Sequence, residues 1–308
     1  MTSLGSERAT SETVFRRSEN QTHTVLNQPP PLVDYDVFGT DQALVDALSA
    51  FSADDIQPSF SGLSKLGRRA SSAEVQRWAA ESDTHKPVLR SHDRYGNRVD
   101  EVDFHPSWHA LMNEAVAAGL GGAAWVSDDA NAHQVRAAGF MSWYQAEAGH
   151  GCPMSMTYAA VPAMRVDSGV GSQWIPGLTS TTYDVGLRNP KEKAGLIAGM
   201  SMTEKQGGSD IRSNTTSAIA IADESGAYVL RGHKWFCSAP MSDLFLVLAY
   251  AEGGLTCFVV PRVLPDGSRN VFEIQRLKDK LGNRSNASSE IEFSNTWAQR
   301  LGEEGNGV

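Results

Sequence analysis

At about Lys193 the apolar residues of this 308-residue chain change their spacing, and that change limits the fold more than any other feature. Before it, apolar residues recur at helical intervals. After it, they alternate or run in short blocks between Gly, Asn and Asp, as strands do. Asp41–Phe51 (DQALVDALSAF) reads as a helix behind a capping Asp. Ser71–Asp83 begins with a Ser cap and has Glu74 three residues on, a capping-box pattern. His105–Gly119 has Pro106 in its first turn and Gly119 as its stop, and Asn131–Gly149 and Pro153–Met164 complete the helical series. Lys86–Phe104 carries turn signals and is expected as a connector. Gly169–Trp174 (GVGSQW) lacks the later Gly of a dinucleotide fingerprint and is expected as a loop. The strand-like segments are LIAGMSMT, TSAIAIAD, GAYVLRGHKWFCS, DLFLVLAYAEG, LTCFVVPRV, FEIQRL and SSEIEFSNT. The pattern predicts an α+β multidomain chain: a tail over 1–22 that is expected to be mobile, a helical N-terminal domain over 23–195, and an antiparallel β-barrel or two-layer sheet over 196–300.

Composition narrows the class. With 41% hydrophobic and 20% charged residues, the chain can build a substantial core. A net charge of −9 argues against strong nonspecific nucleic-acid binding, which needs Lys and Arg to neutralise phosphates. Cys152, Cys237 and Cys257 are widely spaced with no CxxC pair, so a disulfide framework or a cysteine zinc site is not expected. The first residues lack the apolar core of a signal peptide, and the longest apolar run, Leu244–Ala251, is too short to span a bilayer. It reads as a buried strand in a cytoplasmic protein.

Two motifs carry the chemistry. Gly199–Asp210 (GMSMTEKQGGSD) is a Gly-rich loop, and Gly232–Ser238 (GHKWFCS) presents a Trp from the next long strand. Gly207 and Gly208 lack Cβ, which allows positive φ and close approach to a ligand. Thr203 and Ser209 offer hydroxyls, and the backbone of such a turn can cradle an anion. Trp235 offers a broad flat face. Together these suit a flat, anionic, aromatic cofactor, and a flavin dinucleotide fits. Either motif alone also reads as a surface hairpin with a structural Trp.

The same stretch resembles the acyl-CoA dehydrogenase family, and within it the AidB-like, alkylation-response branch. MTEKQGGSD and HKWFCS stand in the family's order, and RLKDKLGNRSNASSEIEF (Arg276–Phe293) is similar to the branch's closing barrel segment. HTVLNQPPPLVDYDVF (His23–Phe38), FHPSWHALM (Phe104–Met112) and EAGHGCPMSMTYAA (Glu147–Ala160) resemble the branch upstream. The resemblance implies FAD, an acyl-CoA-like substrate undergoing α,β-dehydrogenation, and a homo-oligomeric full-length form. It places Met200, Ser201, Met202, Thr203, Gly207, Gly208 and Ser209 along the flavin. Thr203 is expected at the ring and Ser209 near the pyrophosphate. Trp235 is expected to pack on the ring, with the Phe236 and Cys237 backbone at its reactive edge. Many relatives have Thr where this chain has Cys237. In the family, a segment like RLGEEGNGV leads into a C-terminal helical bundle that carries the catalytic carboxylate, so residues 301–308 are expected as its start and no catalytic residue is assigned here. The alternative functions are a DNA-associated protection protein with a mainly structural flavin, its DNA contacts in the missing C-terminal region, or a truncated non-catalytic module.

Other constellations read as structure. His105 and His109 sit four apart but lack the Glu of HExxH and a third ligand, so no metal is assigned. Ser209 is not set in a GxSxG elbow. Glu204 and Asp210 are carboxylates in the loop, for which turn stabilisation is the commoner role than base catalysis.

Overall fold

The computed structural model describes residues 22–23, 26–53 and 55–308. The tail expected over 1–22 therefore falls, apart from Thr22, outside the described residues. Val33–Val308 form one compact unit that holds every element below.

Helix α1 (Gln42–Phe51) starts where Asp41 Oδ1 accepts the Leu44 N–H at 3.0 Å. Helix α2 (Gln57–Ala70) was not legible in the sequence, because Pro58, Gly62 and Gly67 interrupt its apolar pattern. Gly67 is needed for packing: a Cβ there would lie 2.6 Å from Asp36 Oδ1 and 2.7 Å from Phe38 N. Helix α3 (Ala73–Thr84) is capped by Ser72, one residue later than expected. The Ser71 hydroxyl is occupied by accepting the Tyr35 N–H at 3.0 Å.

Lys86–Phe104 is no mere connector. It folds as a hairpin, β1 (Val88–His92) and β2 (Arg98–Asp103), around a turn in which Gly96 takes φ +87°. The hairpin is fastened by long-range bonds that no local pattern announces. Arg262, almost wholly buried, donates from Nη2 to Asp100 O at 2.6 Å, and Asp100 Oδ1 accepts the Ile274 N–H at 2.9 Å.

Helix α4 (Pro106–Ala117) ends at Gly119, which takes φ +72°. Helix α5 (Ala132–Tyr144) ends before the expected Gly149, with residues 145–149 in turns, and helix α6 (Gly151–Met164) starts two residues before the expected Pro153. Gly169–Trp174, expected as a loop, lies instead inside helix α7 (Ser168–Leu178). The missed signal is Asp167, whose carboxylate accepts the Gly169 and Val170 N–H groups at 2.9 and 3.0 Å.

The strands are β3 (Ala198–Ser201), β4 (Ser217–Ala220), β5 (Ala227–Ser238), β6 (Leu244–Ala251), β7 (Gly254–Pro261), β8 (Glu273–Leu277) and β9 (Ser288–Leu301). They run in the order β3-β6-β4-β5-β9-β7, β7 pairs back onto β6, and β8 pairs with β9. The return of β7 to β6 closes a barrel. The barrel is mixed where an antiparallel one was expected: β3 and β4 both run parallel to β6, and the other pairings are antiparallel. Leu230, Phe245, Val247, Phe258, Phe272, Ile291 and Phe293 fill the interior. Leu301 is the last residue of β9. Beyond it, residues expected to start a helical domain form turns laid on β7, with the Gly307 N–H donating to Leu255 O at 2.9 Å. Among the described residues, no helix is long and apolar enough to cross a membrane.

Candidate functional site

The two motifs meet. The chain leaving β3 runs alongside the last third of β5. Trp235 N–H donates to Thr203 O at 2.9 Å, and the Lys205 N–H donates to His233 Nε2 at 3.2 Å. Ser201 Oγ donates to Cys237 Sγ at 2.8 Å. Beneath these contacts Lys234 Nζ meets Glu204 Oε1 at 3.0 Å and also donates to Leu248 O at 2.7 Å.

A β-bulge shapes the exposed side. On β5, Lys234 pairs with Ile291 and Cys237 with Ser289, so Trp235 and Phe236 together face one residue, Glu290. Bulges of this kind re-aim side chains. Lys278 Nζ lies 3.0 Å from the Trp235 ring centroid and 4.8 Å from that of Phe236, so both consecutive rings flank one ammonium. Trp235 is half-buried and Phe236 is 46% exposed. Thr203 is half-buried beside Trp235, whereas Met200 and Met202, also half-buried, pack against the cluster of Leu244, Leu246 and Val259.

The remaining predicted residues separate into two groups. Ser201 and Cys237 point inward: both are fully buried, and Cys237 O accepts from Ser289 Oγ at 3.0 Å. Burial pushes the Cys237 thiol up to about 12. These two can serve a ligand only through their backbones. Gly207, Gly208 and Ser209 lie further along the loop, beyond a tight turn in which Glu204 and Gly207 exchange N–H···O bonds of 3.0 and 3.1 Å. Neither glycine uses the positive φ open to it. Gly207 is required for closeness, since a Cβ would lie 2.6 Å from Ser213 Oγ, whereas Gly208 faces open space. Ser209 lines an open groove with Arg212 and Tyr250.

Glu204 is a structural carboxylate. It accepts from Thr215 N–H and Oγ1, Thr216 N–H, Gln206 Nε2 and Lys234 Nζ. Burial alone would raise its pKa, but the hydrogen bonds from Thr216, Thr215 and Lys234 outweigh it and hold the group at about 2. It is poorly suited to act as a base at neutral pH.

A separate cavity of about 240 Å³ is lined by Phe104, His109, Tyr183, Lys193, Ile197 and Asp243 among others. It shares no residue with the Trp235 wall. Its polar groups satisfy one another: His109 Nδ1 pairs with Tyr183 Oη at 2.8 Å, and Lys193 Nζ with Asp243 at 2.6 Å. His105 caps α4, with Nδ1 accepting the Ser107 N–H at 3.3 Å. Among the described residues no His, Cys, Asp and Glu side chains gather as a metal site.

Sequence reasoning missed Lys278, Glu290 and Arg276. The available signal was the Arg276-Leu277-Lys278 alternation, which puts both cations on one side of a strand end.

Residues 27–185 match the family described as the adaptive response protein AidB N-terminal domain, and residues 199–296 match the acyl-CoA dehydrogenase middle domain. The chain is 45% identical to AidB of Escherichia coli K12 over 94% of its own length and 53% of that protein's. It is 30% identical to acyl-CoA dehydrogenase family member 11 of Caenorhabditis elegans over 80% of its own length and 41% of that protein's. Among solved structures, the apo form of Bd2924 aligns with TM-score 0.80 and 29% identity, covering 92% of this chain and 57% of that one. The C. elegans ACDH-11 complex with C11-CoA aligns with TM-score 0.81 at 24% identity, over 98% of this chain and 51% of that one. The chain thus spans about half the length of these relatives. With one family match covering the helical part and the other the barrel that carries Trp235, the chain belongs to the AidB branch of the acyl-CoA dehydrogenase family.

Proposed function

We propose that this chain forms the barrel-side wall of the cofactor site in an FAD-dependent, acyl-CoA dehydrogenase-like flavoprotein. The observation that carries the reading is the bulge at Trp235–Phe236. It sets two aromatic rings beside the half-buried Thr203, whose carbonyl accepts the Trp235 N–H. An aromatic surface with a hydroxyl at its edge is a donor set that fits a flat heterocycle rimmed with carbonyls.

In this reading Met200, Met202, Thr203, Trp235 and Phe236 hold the ring system by their side chains. Ser201 and Cys237 contribute backbone groups only. Gly207, Gly208 and Ser209 serve the phosphate side, where Gly208 leaves room and Ser209 is exposed. When bound, FAD supplies the electron acceptor for α,β-dehydrogenation of an acyl thioester. The chain's residues orient the cofactor and keep water off the buried face of the wall. Removal of the substrate α proton is not assigned to Glu204, the carboxylate buried beneath the wall.

The relatives named as acyl-CoA dehydrogenases support an acyl-CoA-like substrate, and a homo-oligomeric full-length form and a cytoplasmic setting belong to the same proposal. The test is cofactor occupancy. Trp235→Ala combined with Thr203→Ala is expected to strip the visible flavin absorption band from the purified full-length protein while its thermal transition persists. Full flavin retention in the double variant would count against the site.

A further inference from the structure

Lys278 is not held as a surface lysine. Its side chain is 9% exposed and pairs with Glu290 at 2.8 Å, and the Glu290 side chain is itself only 10% exposed. Arg276 Nε binds the same carboxylate oxygen at 2.7 Å. Burial would raise the pKa of Glu290, but the hydrogen bonds from Lys278 and Arg276 hold it below the usual range. Glu290 sits opposite the bulge, so one backbone irregularity fixes the two rings and the anchor of the ammonium between them.

The local charge does not cancel. Around the Trp235 ring stand Lys278 at 3.0 Å, Lys205 at 5.7 Å and Arg276 at 6.0 Å from the centroid. Glu290 is the carboxylate bound to this set. The aromatic wall is therefore electropositive, and the largest contributor is sheltered from water and little screened by salt. An apolar wall built only for stacking does not need three cations around it.

We propose that Lys278, anchored on Glu290, is a positioning residue that keeps the Trp235–Phe236 wall electropositive and so biases a flavin bound against it toward its reduced form. This rests on the flavin reading above. Oxidised flavin takes up two electrons and one proton to give a reduced ring bearing a negative charge. A fixed cation nearby favours that charged state over the neutral oxidised one. The carboxylate that anchors the cation opposes it, so the two residues act with opposite sign.

The test is a reductive titration of the full-length protein reconstituted with FAD, with dithionite as the electron source and a redox dye as reference. Lys278→Met is expected to weaken the preference for the reduced state about tenfold, a drop of about 30 mV for a two-electron couple. Lys278→Arg should keep the native potential. Glu290→Gln, which retains a hydrogen-bond acceptor, should raise the potential. A loss of folding alone would move Lys278→Met and Glu290→Gln in the same direction, and that result overturns the proposal. Flavin bound at full occupancy with an unchanged potential in Lys278→Met overturns it too, while leaving the cofactor site standing. A native full-length protein that takes up no FAD overturns both.

Discussion

Lys234 Nζ lies 3.0 Å from Glu204 Oε1, and neither side chain is exposed to solvent. The pair joins the loop after β3 to the strand that carries Trp235. It sits directly under the candidate cofactor wall, one residue before Trp235 in sequence. Both partners are fully bonded: the ammonium also reaches Leu248 O, and the carboxylate takes the Thr215 and Thr216 N–H groups. The pair is a tether for the loop, and breaking it on one side strands a buried charge.

Lys234→Met is accordingly expected to cost about 3–5 kcal/mol of stability, because Glu204 is left buried and uncompensated. The double variant Lys234→Met, Glu204→Gln should recover part of that loss. Denaturant unfolding measures both. A single-variant cost below about 1 kcal/mol would show that the pair carries no structural load.

The same carboxylate predicts an acid limb. Glu204 and Glu147 are each lowered from 4.5 to about 2. For Glu147, burial raises the pKa, and bonds from His150, Ser285 and the Gly149 N–H overcome it. A depressed carboxyl contributes stability that is full above its unfolded pKa and lost as pH falls through its folded pKa. The window therefore lies between about pH 4.5 and 2, and each group contributes roughly 3 kcal/mol across it. Unfolding followed against pH should steepen in that window. Glu147→Gln should flatten part of the slope.

Much of the fold was legible because it is local. The helices Gln42–Phe51, Pro106–Ala117 and Ala132–Tyr144 and the buried strand Leu244–Ala251 all announce themselves by apolar period and end signals. The meeting of Thr203 with Trp235 also followed from two motifs in the right order. What was missed depends on distant partners. The β1–β2 hairpin is secured by Arg262, whose bond to Asp100 O spans 162 residues. Lys278 is defined by a bulge on another strand, which depends on pairing register and not on composition. The positive φ open to Gly207 and Gly208 is not used, because the turn closes through a Glu204–Gly207 bridge with no left-handed residue.

The two barrel thiols give a chemical check. Burial pushes Cys237 up to about 12 and Cys257 up to about 11. Both stay protonated at neutral pH, and the thiolate is the reactive species. Labelling of the folded protein with a disulfide reagent should therefore leave the buried Cys237 unmodified and the half-buried Cys257 slow to react, with both reacting promptly in denaturant. Rapid modification of Cys237 in the folded protein would mean that the wall opens far more than the Ser201 contact allows.

Gly199, at the start of the loop motif, matters for space and not for backbone freedom. A Cβ there would lie 2.2 Å from Phe245 Cε1, and the Phe245 ring is fully buried and stacked on Phe272 at 4.7 Å between centroids. The ring has nowhere to retreat, so Gly199→Ala should cost about 1–3 kcal/mol by overpacking. Gly208→Ala is the matched control, since its Cβ meets nothing within 4 Å, and it should stay within about 0.5 kcal/mol of the parent. Denaturant midpoints at unchanged slope distinguish the two. Displacement of β3 also shifts Met200, so Gly199→Ala should lower flavin occupancy along with stability. Gly208→Ala tests occupancy with little change in fold. If Gly208→Ala alone abolished flavin binding, the open space beside it would be part of the ligand's volume. If neither variant changed occupancy, the loop's glycines would serve packing only, and the wall at Trp235 and Thr203 would carry the cofactor by itself.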